Sequence, residues 1–336
     1  MRNEPMEAKT ASAVPARAKR GAEARDWSWV EASVWTERMV SALENGVKGG
    51  RWYSLMDKVY APDTLEAAWN KVQANDGAAG VDGQSLERFA AQEGLYLNEL
   101  ATALREGSYR PQPVKRVDIP KGDGKTRPLG IPTVKDRIVQ TAVKFVLEPI
   151  FEATFCPTSY GFRPGLGCRD ALREVAQLIE EGYTFVVDAD LQSYFDTIPH
   201  ERLMQRVEER ISDGRILGLL RSWLAQDILR DTERWTPTEG TPQGAVISPL
   251  LANIYLHPLD ARMAALGYRK TTSWCCARAA KKPRPPWRRL VPSSTTTACV
   301  CIRTRPISAT AGTSGKASTS SAIGSKPVGV WSAGRA

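Results

Sequence analysis

Two carboxylates at the end of an apolar strand constrain this chain more than any other feature. The stretch Thr184–His200, TFVVDADLQSYFDTIPH, opens with Phe185, Val186 and Val187 and then places Asp188 and Asp190 two apart. Alternate residues of a strand share a face, so both acids are expected to point one way, about 6–7 Å apart. Carboxylates ending a buried strand are costly unless a cation neutralises them, and Mg²⁺ is the usual hard partner for oxygen ligands. Pro199 and a helical pattern from His200 follow, which gives strand, acidic turn and helix. A solvated turn carrying acids accounts for the same residues, so the neighbouring segments have to choose.

The 336 residues allow two or three domains. No long uncharged apolar run occurs, so no membrane span is expected. Residues 1–25 are polar and Ala-rich without an apolar signal region; they read as a disordered leader, and the chain as cytoplasmic. A net charge of +9 suggests a nucleic-acid partner, but its distribution undercuts the inference. From Thr271 to Ala336 there are eleven Lys/Arg and no Asp or Glu, whereas the body before them holds 35 basic against 37 acidic residues. The basicity belongs to the tail. Cysteines divide the same way, with only Cys156 and Cys168 in the body. The only histidines are His200 and His257, none at zinc-finger spacing, so neither structural zinc nor disulfides are expected.

Asp26–Tyr60 combines Trp27, Trp29, Trp35 and Trp52 with helix formers and a break at Gly46–Gly50, which predicts a helical hairpin with core aromatics. Leu65, Ala68, Trp69 and Val72 predict a helix over Thr64–Gln73, and Ser85 can cap another running to Leu104. Gly77–Gly83, GAAGVDG, is a glycine-rich turn without phosphate-loop spacing. Val114–Ile119 and Thr126–Ile131 read as a hairpin closed by Lys121–Lys125, KGDGK. It presents Lys115, Arg116, Lys121, Lys125 and Arg127, a set suited to phosphate binding or to a plain solvated tip.

Val134–Phe155 has the strongest 3.6-residue period, followed by a turn at Ser159–Gly165, SYGFRPG, and a helix over Arg169–Glu181. Further helices are expected over Glu201–Ile211, Arg215–Leu229 and Leu250–Leu266. Thr241–Gly244, TPQG, feeds the last of these and by itself reads as a cap.

In order and spacing, five segments together resemble the reverse transcriptase–maturases encoded by bacterial group II introns. They are GAAGVDG, IPKGDGKTRPLGIPTVKDRIVQ at Ile119–Gln140, SYGFRPG, VVDADLQSYFDTIPH at Val186–His200, and GTPQGAVISPLLANIYLHPLD at Gly240–Asp260. The resemblance covers roughly Asp26–Arg269. It implies an α+β right-hand polymerase fold of fingers and palm, working with two Mg²⁺ ions on an RNA template, a DNA primer and deoxynucleoside triphosphates.

By resemblance, Asp190 is the metal-binding carboxylate of the first palm motif, and Leu191 offers its backbone carbonyl to the same metal. Asp188 is implied to be structural or to support Asp190. Lys121 and Arg127 match the residues that grip the triphosphate, Phe195 the aromatic wall that excludes a 2′-hydroxyl, and Gln243 a hydrogen-bonding group near the sugar. Arg163 is implied to line the template path, or to be purely structural.

The pattern breaks after Arg269. The family carries Tyr-Ala-Asp-Asp on a hairpin there, but no acid follows Asp260. Thr271–Cys276 can be encoded ACN ACN TCN TGG TGY TGY, and those bases read one earlier permit Asp-Asp-Phe-Val-Val-Leu. In the same frame Cys301–Pro306 permits Leu-His-Pro-Asp-Lys-Thr, and Ala317–Pro327 permits Gly-Phe-Asp-Phe-Leu-Gly-Tyr-Arg-Phe-Glu-Ala. A frameshift near Arg269 is therefore expected; a genuine basic RNA-binding tail is the alternative.

The expected organisation is a leader at 1–25, an N-terminal helical region at 26–110, fingers at 111–183 and a partial palm at 184–270. An out-of-frame, disordered tail over 271–336 completes it, with no thumb, maturase or endonuclease region. The expected protein is a bacterial reverse transcriptase and maturase acting with group II intron RNA. With half of its two-metal site missing, it is expected to be inactive, an RNA-binding remnant or a relic. Its oligomeric state is not legible.

Overall fold

The computed structural model describes residues 26–121, 124–183, 185–191, 193–242, 244–271, 274–277 and 300–306. The leader, Gln243 and most of the tail lie outside them. Among the described residues no helix is long and apolar enough to cross a membrane.

The architecture is α+β, as expected. Five helices come first: α1 (Glu37–Asn45), α2 (Met56–Val59), α3 (Pro62–Ala74), α4 (Leu86–Ala90) and α5 (Glu93–Glu106). The hairpin β1 (Val114–Lys121) and β2 (Lys125–Ile131) leads into α6 (Val134–Glu152) and α7 (Cys168–Glu180). Then follow β3 (Phe185–Leu191), a 3₁₀ turn at Tyr194–Asp196, α8 (His200–Glu208) and α9 (Gly214–Leu224). A second hairpin, β4 (Ile228–Arg230) and β5 (Glu233–Trp235), precedes α10 (Ser248–Ala265) and the strands β6 (Arg269–Thr271), β7 (Trp274–Ala277) and β8 (Val300–Pro306).

The strands form two four-stranded sheets, ordered β2-β1-β4-β5 and β6-β7-β3-β8. In the first, β1 pairs antiparallel with β2 over the whole expected hairpin, Lys115 opposite Ile131 and Lys121 opposite Lys125. The second is antiparallel throughout and is centred on β3. Two stretches of the acid-free tail, β7 and β8, are the strands on either side of it.

The core is built around α6. Thr133 caps it, its hydroxyl oxygen accepting from Asp136 N at 3.1 Å, which satisfies one of the orphan donors of the first turn. Ile138, Val139, Ala142, Val143, Val146 and Leu147 are completely buried, with α2, α3 and α10 packed around them. A helix apolar on most sides has to sit at a centre, because no face is left for water.

Three expectations fail locally. Asp26–Tyr60 is not a helical hairpin: α1 and the single turn α2 are separated by Gly46, Gly49 and Gly50 at positive φ. Trp35 is spent inward, its Nε1 donating to Phe145 O at 2.8 Å with the Trp52 ring edge-on at 5.5 Å. The helix from Ser85 is two, α4 and α5, broken at Gln92 (ψ 32°) beside Glu93, whose carboxylate accepts from the buried Trp69 Nε1 at 2.8 Å. The helix expected over Arg215–Leu229 stops at Leu224, because Val114 N bonds Asp227 O at 2.8 Å and draws Ile228 alongside β1.

Candidate active site

Polar side chains on α6 do not fit its apolar surroundings, and each one holds a different segment. Asp136 accepts from the Tyr109 hydroxyl, from Thr133 Oγ1 (2.9 Å) and from Gln112 N (3.1 Å), fixing the entry to β1. The next residue, Arg137, donates to Ala78 O at 2.9 Å and so holds the GAAGVDG turn. The glycines of that turn are there for room: a Cβ on Gly80 would stand 2.7 Å from Thr133 Cα. Gln140 Oε1 accepts from Val246 N at 2.9 Å, just past TPQG. Glu152, at the helix end, takes both oxygens to Arg163 Nε at 3.0 Å. Four of the five motif segments thus meet on one helix.

The fifth docks against TPQG. Thr241 N donates to Phe195 O at 2.6 Å, Gly240 N to Ile198 O at 2.8 Å, and His200 Nε2 to Gly240 O at 2.7 Å. Gly240 has φ +88°, and a Cβ there would lie 2.7 Å from Asp196 O. Gly244 closes the other side: a Cβ would stand 2.2 Å from Gly130 O on β2. Backbone therefore touches backbone at Gly240 against Asp196 and at Gly244 against β2, approaches open only to glycine. A cavity of about 380 Å³ lies between these segments and the first sheet, bounded by Arg116, Leu129, Gly130, Asp196, Trp235 and Thr241.

The described residues singled out from the sequence can now be placed. Phe195 is half-buried, its ring against Tyr194 (5.8 Å) and perpendicular to Phe162 (6.3 Å). Arg127 is exposed on β2, opposite Ile119 in the register, and Lys121 ends β1 opposite Lys125. Arg116, by contrast, turns inward to Asp118 (3.2 Å) and lies over the Trp235 ring. Gln243 lies outside the described residues; of its neighbours, Pro242 O accepts from Ser248 Oγ at 2.9 Å and Gly244 lies against Gly130. Arg163 is used within the fold: it holds Glu152, donates to the Cys156 carbonyl at 2.6 Å and also to that of Ser159, with its side chain 7% exposed. Its donors face inward, and what the turn presents outward is Phe162.

Asp188 and Asp190 lie two apart on β3, and Leu191 ends the strand. Asp188 pairs with Trp274 of β7 and Arg303 of β8, Asp190 with Cys301, and Leu191 with Val300. Neither flanking strand contains an acid. A hard divalent ion takes about six oxygen ligands, and two ions need carboxylates from more than one strand. Among the described residues no cluster of three or more His, Cys, Asp or Glu could hold a metal. The described strands beside β3 thus supply no carboxylate to a two-ion centre.

Burial shapes the ionisation of the supporting groups. It pushes the Asp136 carboxyl above its ordinary 3.8 despite the three donors. Burial and then the Asp136 charge raise the Tyr109 phenol well above 10. Asp213 goes the other way: burial would raise it, but the N–H groups of Ile216, Leu55, Met56 and Arg215 together hold it low. Tyr194, half-buried with its hydroxyl donating to Ala252 O (2.7 Å), is shifted upward, chiefly by desolvation. These groups build the scaffold.

Sequence reasoning did not single out Gln140, Glu152, Gly130 or Phe162. The first two carried a signal, as polar residues inside an apolar helical period. The last two carried none, since their importance lies in residues 114 and 33 positions away in the chain.

Comparison with known proteins follows this geometry. Residues 119–270 match the family Reverse transcriptase (RNA-dependent DNA polymerase). Over 212 residues the chain is 42% identical to Protein YkfC of Escherichia coli, covering 61% of this chain and 56% of that one. Over 202 residues it is 36% identical to the Group II intron-encoded protein LtrA of Lactococcus lactis, covering 59% of this chain and 33% of that protein. It thus spans about half, or less, of the curated relatives it matches. A solved structure, a partial Cas6-RT-Cas1–Cas2 complex, aligns at TM-score 0.45 and 25% identity over 68% of this chain and 39% of that one.

Proposed function

We propose that this chain, whose residues 119–270 match the reverse transcriptase family, is the nucleotide-gripping part of a group II intron reverse transcriptase and maturase. The observation that carries this reading is the junction at 240–244. There Thr241 N bonds Phe195 O and Gly244 lies against Gly130, two residues of separate motifs, and Gln243 falls between them in the chain.

In this reading β1 and β2 are fingers and β3 is the first strand of a partial palm. Lys121 and Arg127 bind the triphosphate of an incoming deoxynucleotide, with the planar Arg127 guanidinium able to lie over the base. The Phe195 ring, braced on Tyr194 and Phe162, meets the sugar and excludes a 2′-hydroxyl by volume. Gln243 hydrogen-bonds near the same sugar. Arg163 positions the turn at 159–165. The natural partners are intron RNA, an RNA template and a DNA primer, in a bacterial cytoplasm.

Reverse transcriptases as a family use divalent metal. Here Asp190, with Leu191 and Asp188 beside it, has no carboxylate on the strands next to it. We therefore assign this chain nucleotide and RNA binding without polymerisation, and read residues from 271 onward as out of frame. Losing metal-held charge stabilisation removes several kcal/mol from the transition state, and each 1.4 kcal/mol is roughly tenfold in rate.

The test is primer extension on an RNA template with Mg²⁺, comparing this chain with the product of the reading frame moved one base after Arg269. The expected result is binding without extension by the first, and extension by the second that is lost on Asp190→Ala. Asp190-dependent extension by this chain refutes the inactivity. A shifted frame that encodes no acid pair after Arg269 refutes the frameshift.

A further inference from the structure

Phe162 breaks two folding preferences at once. Its backbone is left-handed, φ +56°, a conformation rare for a bulky side chain, and its ring is 67% exposed to water. Each works against folding, and left-handed residues persist where the surroundings over-determine them. Here they do. Asn253 Nδ2 donates to Gly161 O at 2.8 Å on one side, and on the other Arg163 is fixed by Glu152 and the carbonyls of Cys156 and Ser159. Gly165, three residues on, is also left-handed at φ +68° and pays nothing for it. A turn with only a structural duty is better served by glycine at 162 as well.

The ring is also the outer end of an aromatic row. Tyr255 of α10 meets Tyr194 at 6.5 Å, Tyr194 meets Phe195 at 5.8 Å, and Phe195 meets Phe162 at 6.3 Å with the planes 88° apart. The inner end is tied down by the Tyr194 hydroxyl on Ala252 O. The outer end is held at a set angle beside Phe195, the residue read as the sugar wall.

We propose that Phe162 is a base-stacking residue: an unpaired nucleobase of the bound strand lies on its ring, immediately next to the nucleotide site. Every nucleobase offers a π-face, so such a contact is tolerant of sequence and needs no charge from the protein. This inference rests on the reading of the chain as a nucleic-acid binder.

The experiment uses the full chain and a 2-aminopurine-labelled RNA template annealed to a DNA primer, with anisotropy and fluorescence read across a salt series. F162A is expected to weaken binding about tenfold and to relieve 2-aminopurine quenching, while the slope of log Kd against log salt stays unchanged because no phosphate contact is lost. F162W restores affinity and quenching. F162G binds like F162A yet raises the melting temperature, because it removes the backbone strain and leaves the anchors alone. F162A binding within twofold of the parent overturns the stacking role alone, as does a reduced salt slope. A parent chain that binds no primer–template overturns it together with the reading beneath it.

Discussion

No side chain fits between Gly244 and Gly130: a Cβ on Gly244 would stand 2.2 Å from the Gly130 carbonyl oxygen, and Gly244 itself sits at φ +102°. The turn after TPQG and the strand carrying Arg127 are therefore in backbone contact, 114 residues apart in the chain. Neither moves without the other.

G244A is accordingly expected to destabilise the fold by about 1–3 kcal/mol, from backbone strain plus steric clash. G218A is the control, since Gly218 lies within α9 with open space around its Cβ position. It is expected to stabilise by about 0.5–1 kcal/mol. Urea midpoints measure both, and equal effects at the two glycines contradict the close approach.

The Arg163–Glu152 pair is a largely buried bidentate contact, with side chains 7% and 12% exposed. R163M leaves the Glu152 carboxylate without its guanidinium and is expected to cost about 3–5 kcal/mol. R163M/E152M removes the stranded charge and is expected to recover part of that. A double mutant as unstable as the sum of its singles means that the pair is not coupled.

Asp213 caps α9 and also accepts from Leu55 N (2.7 Å) and Met56 N (3.0 Å), joining the N-terminal region to the body. Its carboxyl is held below its ordinary 3.8 by those N–H groups, against the upward push of burial. A depressed folded value means stabilisation that is fully present above the unfolded value and lost as pH falls through the folded one. Stability should thus decline below about pH 4, and D213N should flatten that part of the curve while lowering stability at neutral pH by about 1–2 kcal/mol. An unchanged acid limb in D213N removes Asp213 from the account.

Arg127 is exposed on β2. R127A is expected to leave stability within about 0.5 kcal/mol while weakening triphosphate binding by about ten- to a hundredfold, the worth of charge-assisted hydrogen bonds. Equilibrium binding of a fluorescent deoxynucleoside triphosphate reads this directly. Undiminished affinity places the triphosphate elsewhere.

Local pattern made much of this molecule legible. The period of Val134–Phe155 identified the central helix, the KGDGK turn the first hairpin, and the apolar run before Asp188 the strand β3. Those signals are short-range, set by residues within one or two turns of each other. The second hairpin escaped because Ile228–Trp235 has no strong strand pattern of its own; pairing with β1 stabilises it. Phe162 escaped because a phenylalanine after glycine reads as an ordinary apolar residue until its exposure and backbone are known.

By itself, the sequence determined the central helix, the first hairpin, the strand β3 and that no acid follows Asp260, because composition and periodicity are properties of the chain alone. Only the tertiary structure decided what those segments do for one another. Asp136 became an anchor for the entry to β1, Arg137, Gln140 and Glu152 became anchors for three other motifs, and glycines at 80, 240 and 244 became points of backbone contact. Arg163 turned inward, leaving Phe162 at the surface. The reason is physical: hydrogen-bond partners and steric room are set by distance in space, and these partners lie 11 to 114 residues apart in sequence.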